Sequence, residues 1–376
     1  MLSFYLIWSL SYVILLWWIS RFWPKKIDSD LIDQFYPQVT LIVPFRNEAD
    51  NVPDLCFNLN KLDFPNLEIL LVDDHSEDAS FELLEKAVGK YGNVTIVKSE
   101  GLGKKAAIET AVSIASGEFI VCTDADCDFP DLWIEKMISP FQNPKVQLVA
   151  GAVLVEERRG FLDKFQSLDW ASILLMTNYS FARQVPLMCS GANLAYRKEA
   201  FKQVNGFEGN REFASGDDEF LLKKIHHAYG KEACIYLASS EILVLTRPES
   251  SWEALVNQRV RWASKWKAHD SILHLLSAVG AFLIQLIWLG SSSLIFLGRK
   301  GILTFGLVWL MKIAAEKMSL GKVLKSLARE PSMLAFVRTS FVHPFYVLRT
   351  GFGALGGKFT WKGRRNWRSV NLESEI

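Results

Sequence analysis

The chain has 376 residues, half of them hydrophobic and 22% charged, which excludes a disordered protein and leaves room for one large core with appendages. Lys plus Arg number 42 against 41 Asp plus Glu, so no overall field draws the molecule to nucleic acid. Five cysteines in no zinc or disulfide spacing read as free thiols in a reducing compartment.

Leu2 to Ser20 carries no charge and is long enough to cross a hydrocarbon core. No basic residue precedes it, no small-residue cleavage site comes after it, and Arg21, Lys25 and Lys26 lie just beyond it. That order fits a retained anchor, with the amino terminus outside and the chain beyond Arg21 in the cytoplasm. From about Asp28 to Asp270 the composition is globular. Short apolar runs at Val39–Val43, Leu67–Val72 and Glu118–Thr123 read as strands, and Asn51–Lys61, Asp78–Lys90 and Lys104–Ser116 read as helices. Strands alternating with helices imply right-handed βαβ units and a mainly parallel sheet, in one α/β domain.

In such sheets ligands bind beyond the carboxyl ends of the strands, so the residues just past each strand are informative. After the first come Pro44, Phe45, Arg46, Asn47 and Glu48; after the second, Asp73 and Asp74; after the third, Asp124, Ala125 and Asp126. Asp73 and Asp74 can cap a helix, or can accept hydrogen bonds from a base imide or a ribose hydroxyl. In an extended segment Asp124 and Asp126 would point the same way, and hard oxygen ligands of this kind suit Mg2+ or Mn2+ on a diphosphate. Gly103-Lys104-Lys105 is not a P-loop, since Lys98 stands where the first glycine should be and Lys105 where Ser or Thr should be. Lys104 could still neutralise phosphate.

Further on, Gly191-Ala192-Asn193 is an irregular polar stretch suited to a pocket wall. Gly216-Asp217-Asp218 opens a helical run, where acids favour the helix start or, for Asp218, a general base. Gln258, Arg261 and Trp262 share a face of a probable helix. Arg suits diphosphate charge and Trp a sugar ring or lipid, while an aromatic-basic interfacial belt including Trp266 and Lys267 would look the same. His75, His226 and His227 fit no metal spacing.

The carboxyl-terminal third is apolar and basic together. Ser271–Gly298 is long enough to cross a membrane, Gly301–Ala315 is shorter and interrupted by Lys312, and Ser332–Gly357 reads equally as an interfacial helix or a crossing. Arg299 to Arg368 holds fourteen Lys and Arg against Glu316 and Glu330, a surface suited to anionic lipid. The chain therefore divides into an anchor at 1–22, a soluble domain at 28–270, a membrane region at 271–357 and a basic cytoplasmic tail at 358–376.

The order of these motifs resembles membrane-embedded family 2 glycosyltransferases. It runs Pro44–Asn51, Val72–Asp78, Gly103–Ala107, Asp124–Asp126, Gly191–Phe201, Gly216–Phe220 and Gln258–Trp262. The resemblance implies a GT-A fold and an inverting, metal-dependent enzyme at the cytoplasmic membrane face. It would move sugar from a nucleotide-sugar, a UDP-sugar, to a lipid, lipid-linked or saccharide acceptor. Asp73 and Asp74 would contact the donor nucleoside, with Pro44 and Glu48 nearby. Asp124 and Asp126 would match the DxD pair, the last carboxylate holding Mg2+ or Mn2+. Asp218 would be the base, and Gln258, Arg261 and Trp262 would match QxxRW, which closes over diphosphate and acceptor. Asp217 stands where the family often has Glu. A processive polysaccharide synthase carries the same signature, and a non-catalytic nucleotide-sugar-binding membrane protein is the alternative of another class. A nicotinamide dehydrogenase is excluded, since no strand leads into G-x-G-x-x-G.

Overall fold

The computed structural model describes residues 1–24, 35–89, 91–157, 160–211, 213, 215–264, 272–356, 360–361 and 364–365. Lys25, Lys26, Trp266, Lys267 and most of the basic tail lie outside the described residues. After the apolar helix α1 (Leu2–Ser20), strands and helices alternate through β1 (Val39–Phe45), α2 (Val52–Asn60), β2 (Leu67–Asp73), α3 (Ser80–Val88), β3 (Val94–Lys98), α4 (Lys104–Ile114) and β4 (Phe119–Cys122). Next come β5 (Cys127–Asp128), α5 (Trp133–Ile138), β6 (Leu148–Gly151), β7 (Val153–Val155), α6 (Phe161–Ala182), β8 (Leu194–Arg197), α7 (Lys198–Gln203), α8 (Asp217–Tyr229), β9 (Cys234–Leu237) and β10 (Val244–Thr246). The remaining helices are α9 (Trp252–Ala263), α10 (Ile272–Gly290), α11 (Gly298–Ser326) and α12 (Met333–Gly356).

The chain forms two compact units. One consists chiefly of Lys26–Leu154 and Ser180–Arg247 and contains a seven-stranded sheet in the order β3-β2-β1-β4-β8-β6-β9. β1 pairs in parallel with both β2 and β4, and β2 with β3, so the carboxyl ends of these strands share an edge. Every residue of β1 and β4 is buried, as continuous apolar strands covered on both faces must be. Ile42, Leu70, Ile120 and Leu148 from the sheet pack with Ile108, Ala111 and Leu222 from helices. β8 runs antiparallel to β4, pairing Leu194 with Cys122. Its reversal has a consequence for the site, because the residues just before β8 return to the edge where β4 ends. A smaller sheet, β5-β10-β7, lies beside the segment that succeeds β4.

The other unit takes Met1–Lys25, Val155–Tyr179 and Pro248–Trp361. Leu2–Ser20 and Val279–Ser326 are long and apolar enough to cross a membrane. Gly301–Ala315, read from sequence as a short span, belongs to the longer α11. Helices α1 and α11 run parallel: Tyr12 donates to Glu316 at 3.1 Å, the Trp23 indole donates to Ser326 at 2.8 Å, and Lys322 donates to the Ser20 carbonyl at 2.6 Å. Their exposed faces are apolar, unlike those of a water-soluble helix, and some polar side chains are buried. Phe4, Ile7, Leu10 and Ile14 are exposed on α1, whereas Ser9 is buried; Leu303, Leu307 and Leu310 are exposed on α11, whereas Lys312 and Ser319 are buried. Helix α12 runs antiparallel to α11, with Phe341 stacked on Trp309 at 4.3 Å and the Ser340 carbonyl accepting from Lys312 at 3.2 Å. Past Pro344 it meets other partners, as Tyr346 packs edge-on to Phe165 of α6 and Gly353 lies against Val260 of α9.

Candidate active site

The turns after β1 and β2 are built into each other. Asn47 and His75 both adopt positive φ, which a side chain tolerates when its neighbours hold it. Buried Arg46 does that holding: its guanidinium donates to the Asp74 carbonyl at 2.8 Å, to the His75 carbonyl, and to Glu77 at 2.6 Å. Asn47 accepts from the Glu77 amide at 2.8 Å, and the Glu48 amide donates to Ser80 at 2.7 Å. Glu48 itself accepts from Asn51, and Pro44 is the sixth residue of β1, paired with Val72. Asp73 accepts from the Ser76 amide at 3.0 Å, the bond of a turn cap. Asp74, only 2% exposed, accepts from the Gly103 amide at 2.7 Å. The two adjacent carboxylates thus have separate structural partners.

Gly103, at φ 93°, starts α4 and places Lys104 in its first turn. Lys104 donates to Asp124 at 2.5 Å and lies 3.6 Å from Asp217, so one ammonium joins the segment after β4 to the start of α8. Burial works against its charge, but Asp124, Asp217 and Asp218 outweigh that and hold the Lys104 pKa well above its ordinary value. Lys105 turns the other way, donating to the Asn210 and Phe213 carbonyls at 2.6 and 2.8 Å below Phe220.

Asp124 and Asp126 do not sit on an extended segment, as the alternation argument assumed. The Cys127 amide donates to the Asp124 carbonyl at 3.2 Å and closes a turn, and this turn is what brings the carboxylates together. Asp124, Asp126 and Cys127 offer ligand atoms within 4.8 Å of one another. Asp126 has weak contacts to Thr246 at 3.4 Å and to the Cys127 thiol at 3.7 Å. Burial, with Asp126 and Asp124 beside it, pushes the Cys127 thiol well up, and a hard cation prefers the two carboxylate oxygens to sulfur. What remains is a pair of carboxylates, a donor set that fits a hard cation completing its shell with water and phosphate.

Asp217 and Asp218 occupy the first turn of α8, entered through Gly216 at φ 87°. Asp218 accepts from the Gly191 amide at 2.8 Å and from the Glu219 amide at 2.7 Å. Gly191 precedes the antiparallel β8, which is how it reaches the carboxyl edge. A Cβ on Gly191 would meet the Asp217 carboxylate at 2.8 Å and the Lys104 ammonium at 3.1 Å, so a side chain there would push these two groups aside. Asn193 is fully buried, donating to the Ala152 and Ile242 carbonyls at 2.8 Å and accepting from the Trp133 indole at 2.9 Å. Asp74, Lys104, Asp124, Asp126, Asp217 and Asp218 are therefore one connected polar network on the carboxyl edge of the sheet.

Gln258, Arg261 and Trp262 belong to the other unit, on α9. Gln258 donates to Glu249 at 2.6 Å, and Trp262 packs edge-on to Trp170 of α6 at 5.4 Å. Sequence reasoning passed over their neighbour Arg259, which is buried and bonded to Asp169 through Nε at 3.0 Å and through a terminal nitrogen at 2.9 Å. It also gave Arg46 and Asn193 no role of their own. The signal was weak in each case: a cation beside apolar residues, and an amide before a strand.

Residues 40–204 match the family model described as Glycosyl transferase family 2. Among curated proteins, the poly-beta-1,6-N-acetyl-D-glucosamine synthase of Staphylococcus epidermidis is 27% identical over 233 residues, 60% of this chain and 53% of that one. The synthase of the same name from Staphylococcus aureus strain MSSA476 is 25% identical over 228 residues, with the same coverage of each chain. The chain thus spans about half the length of the curated relatives it matches. Among solved structures, a mannosyltransferase from Pyrobaculum calidifontis in complex with GDP-Man and Mn2+ superposes with a TM-score of 0.57 at 19% identity, over 94% of this chain and 97% of that one. The fold is GT-A-like.

Proposed function

We propose, from residues 40–204 being a glycosyl transferase family 2 domain, that this chain moves a sugar from a nucleotide-sugar to an acceptor hydroxyl at the cytoplasmic face of a membrane. The observation that carries the reading is Lys104, which ties Asp124 and Asp217 into one cationic-acidic cluster beside Asp74. A donor needs such a set: acids for nucleoside and cation, an ammonium for phosphate, and a further acid for the incoming hydroxyl.

Asp73 and Asp74, flanked by Pro44 and Glu48, are assigned to the nucleoside. Asp126 with Asp124 would hold Mg2+ or Mn2+, which when bound stabilises charge on the departing diphosphate. Lys104, always charged here, is placed to trade its carboxylate partners for phosphate oxygens. Asp218 takes the proton of the acceptor hydroxyl, whose oxygen then attacks the anomeric carbon as the bond to diphosphate breaks. One displacement inverts the anomeric centre. Asp217 and the QxxRW residues Gln258, Arg261 and Trp262 are assigned to diphosphate and acceptor on the strength of the motif they spell.

The exposed apolar faces of α1 and α11, with Ser9, Lys312 and Ser319 turned inward, support a lipid setting, since an apolar outer face suits hydrocarbon surroundings. The preferred donor is a UDP-sugar and the preferred acceptor a lipid or lipid-linked saccharide. Polymer synthesis is the second reading, favoured by the name of the Staphylococcus relatives. Purified chain with Mn2+ and labelled UDP-N-acetylglucosamine, UDP-glucose or GDP-mannose, given membrane lipid extract, decides between them. Lipid-extractable label after one addition is expected; high-molecular-weight label selects polymerisation; and transfer from none of the donors refutes the enzyme.

A further inference from the structure

Within the QRVRW segment the residue with the most defined surroundings is Arg259. It is 7% exposed and its side chain points inward. Two of its nitrogens meet one oxygen of Asp169 on α6, and its other terminal nitrogen donates to the Gln258 side-chain oxygen. Its guanidinium carbon lies 4.2 Å from the Trp262 ring centroid and 5.3 Å from that of Trp170. The one side chain therefore touches both Gln258 and Trp262.

Asp169 is fixed in turn. It accepts from Tyr346 at 3.4 Å, and His343 lies 3.3 Å from its other oxygen, both on α12. Burial alone would raise the Asp169 carboxyl, but Arg259, with His343 behind it, holds it below its ordinary value. A second brace runs alongside. Gln258 donates to Glu249, and the backbone of Glu249 exchanges bonds of 2.8 and 3.0 Å with the side chain of Gln166 on α6. An Arg with a planar, forked donor set can hold a carboxylate, an amide and a ring face at once; Lys cannot.

We propose that Arg259 is a positioning residue for the transfer reaction: through the Asp169 carboxylate it fixes the Gln258 amide and the Trp262 ring in the orientation the reaction uses. The inference rests on the reading of Gln258 and Trp262 as acting on diphosphate and acceptor. A buried ion pair adds little net stability, whereas a rigid fork sets geometry, and a misplacement of about 1 Å can cost a hundredfold in rate.

The test uses full-length protein in detergent. The concentration of donor sites is counted by titration with UDP and Mn2+, and turnover is expressed per site, so that unfolded protein does not enter the rate. Arg259→Met is expected to bind UDP with affinity within about threefold of wild type and to lose at least about tenfold in turnover per site. Arg259→Lys should fall between the two, since it keeps charge on Asp169 but not the fork. Wild-type turnover per site in both variants overturns the proposal, as does an activity loss accounted for by fewer sites. If Arg259→Met yields no binding protein, Arg259→Lys decides alone: reduced turnover per site supports the proposal and wild-type turnover overturns it. Wild-type protein that binds UDP but transfers nothing from any donor rejects the enzymatic reading instead.

Discussion

Asp218 accepts one backbone amide on each oxygen, so Asp218→Asn can keep the bond from Glu219 at the start of α8 while losing the bond from Gly191 and the basicity. Asp218→Asn is expected to lower transfer by about a hundredfold to ten-thousandfold, with UDP binding retained in calorimetry. Wild-type transfer by this variant would remove Asp218 as the base. Gly191→Ala works through the same contact from the other side. Its methyl would displace the Asp217 carboxylate and the Lys104 ammonium, so weaker UDP binding and lower transfer are expected. The thiols carry a further prediction. Burial pushes Cys122 and Cys234 each up to about 12, and pushes Cys127 well above its ordinary value. At about pH 8 these groups are thiols rather than thiolates, so a disulfide reagent should label them slowly in native protein and rapidly in guanidinium.

At the scale of the element, the Asp169 carboxylate is one of the ties between α6 and α9, and its pKa gives the sign of a pH effect. Asp169 is lowered in the folded state from 3.8, so its contribution is present above about pH 4 and is lost as pH falls through the folded value. Tryptophan fluorescence during denaturant unfolding should show stability dropping between about pH 5 and pH 3. Asp169→Asn should flatten that drop while lowering stability at neutral pH, because it leaves Arg259 buried without its counter-charge.

Elements also show where the chain was legible. The strands β1, β2 and β4 were readable because they are buried on both faces and therefore spelled as unbroken apolar runs. β3 was missed because it lies at the edge of its sheet and is half-covered, and its five residues show no such run. β6, β8 and β9, four residues each, are not among the runs that the sequence singles out. The acids stand out in the sequence because they cluster directly after readable strands. The contacts of Arg46, Gly191 and Arg259 escaped because they reach across 27 to 90 residues of sequence, which no local pattern reports. The turn at Asp124–Cys127 shows the same limit: the pair was identified correctly as close together, but from a strand-like segment that is not there.

For the whole molecule the testable quantity is sidedness. Since α1 and α11 run parallel, Met1 and Gly298 lie at one end of the pair and Ser20 and Ser326 at the other. The proposed orientation places the first end outside. Cysteines introduced at Ser3 and Lys300 should therefore react with a membrane-impermeant maleimide in intact cells, and one at Lys325 only after permeabilisation. Labelling at Lys325 in sealed cells would reverse the assignment.

That parallel pair joins segments far apart along the chain. Tyr12 and Trp23 donate hydrogen bonds to Glu316 and Ser326, which are made some three hundred residues after them. In the proposed lipid setting, α1 would until then carry the Tyr12 hydroxyl without the acceptor that α11 supplies. A chain cut short before α11 would keep that unmet demand permanently, marking itself as unfinished to the cell's quality control even though its catalytic sheet has already been made.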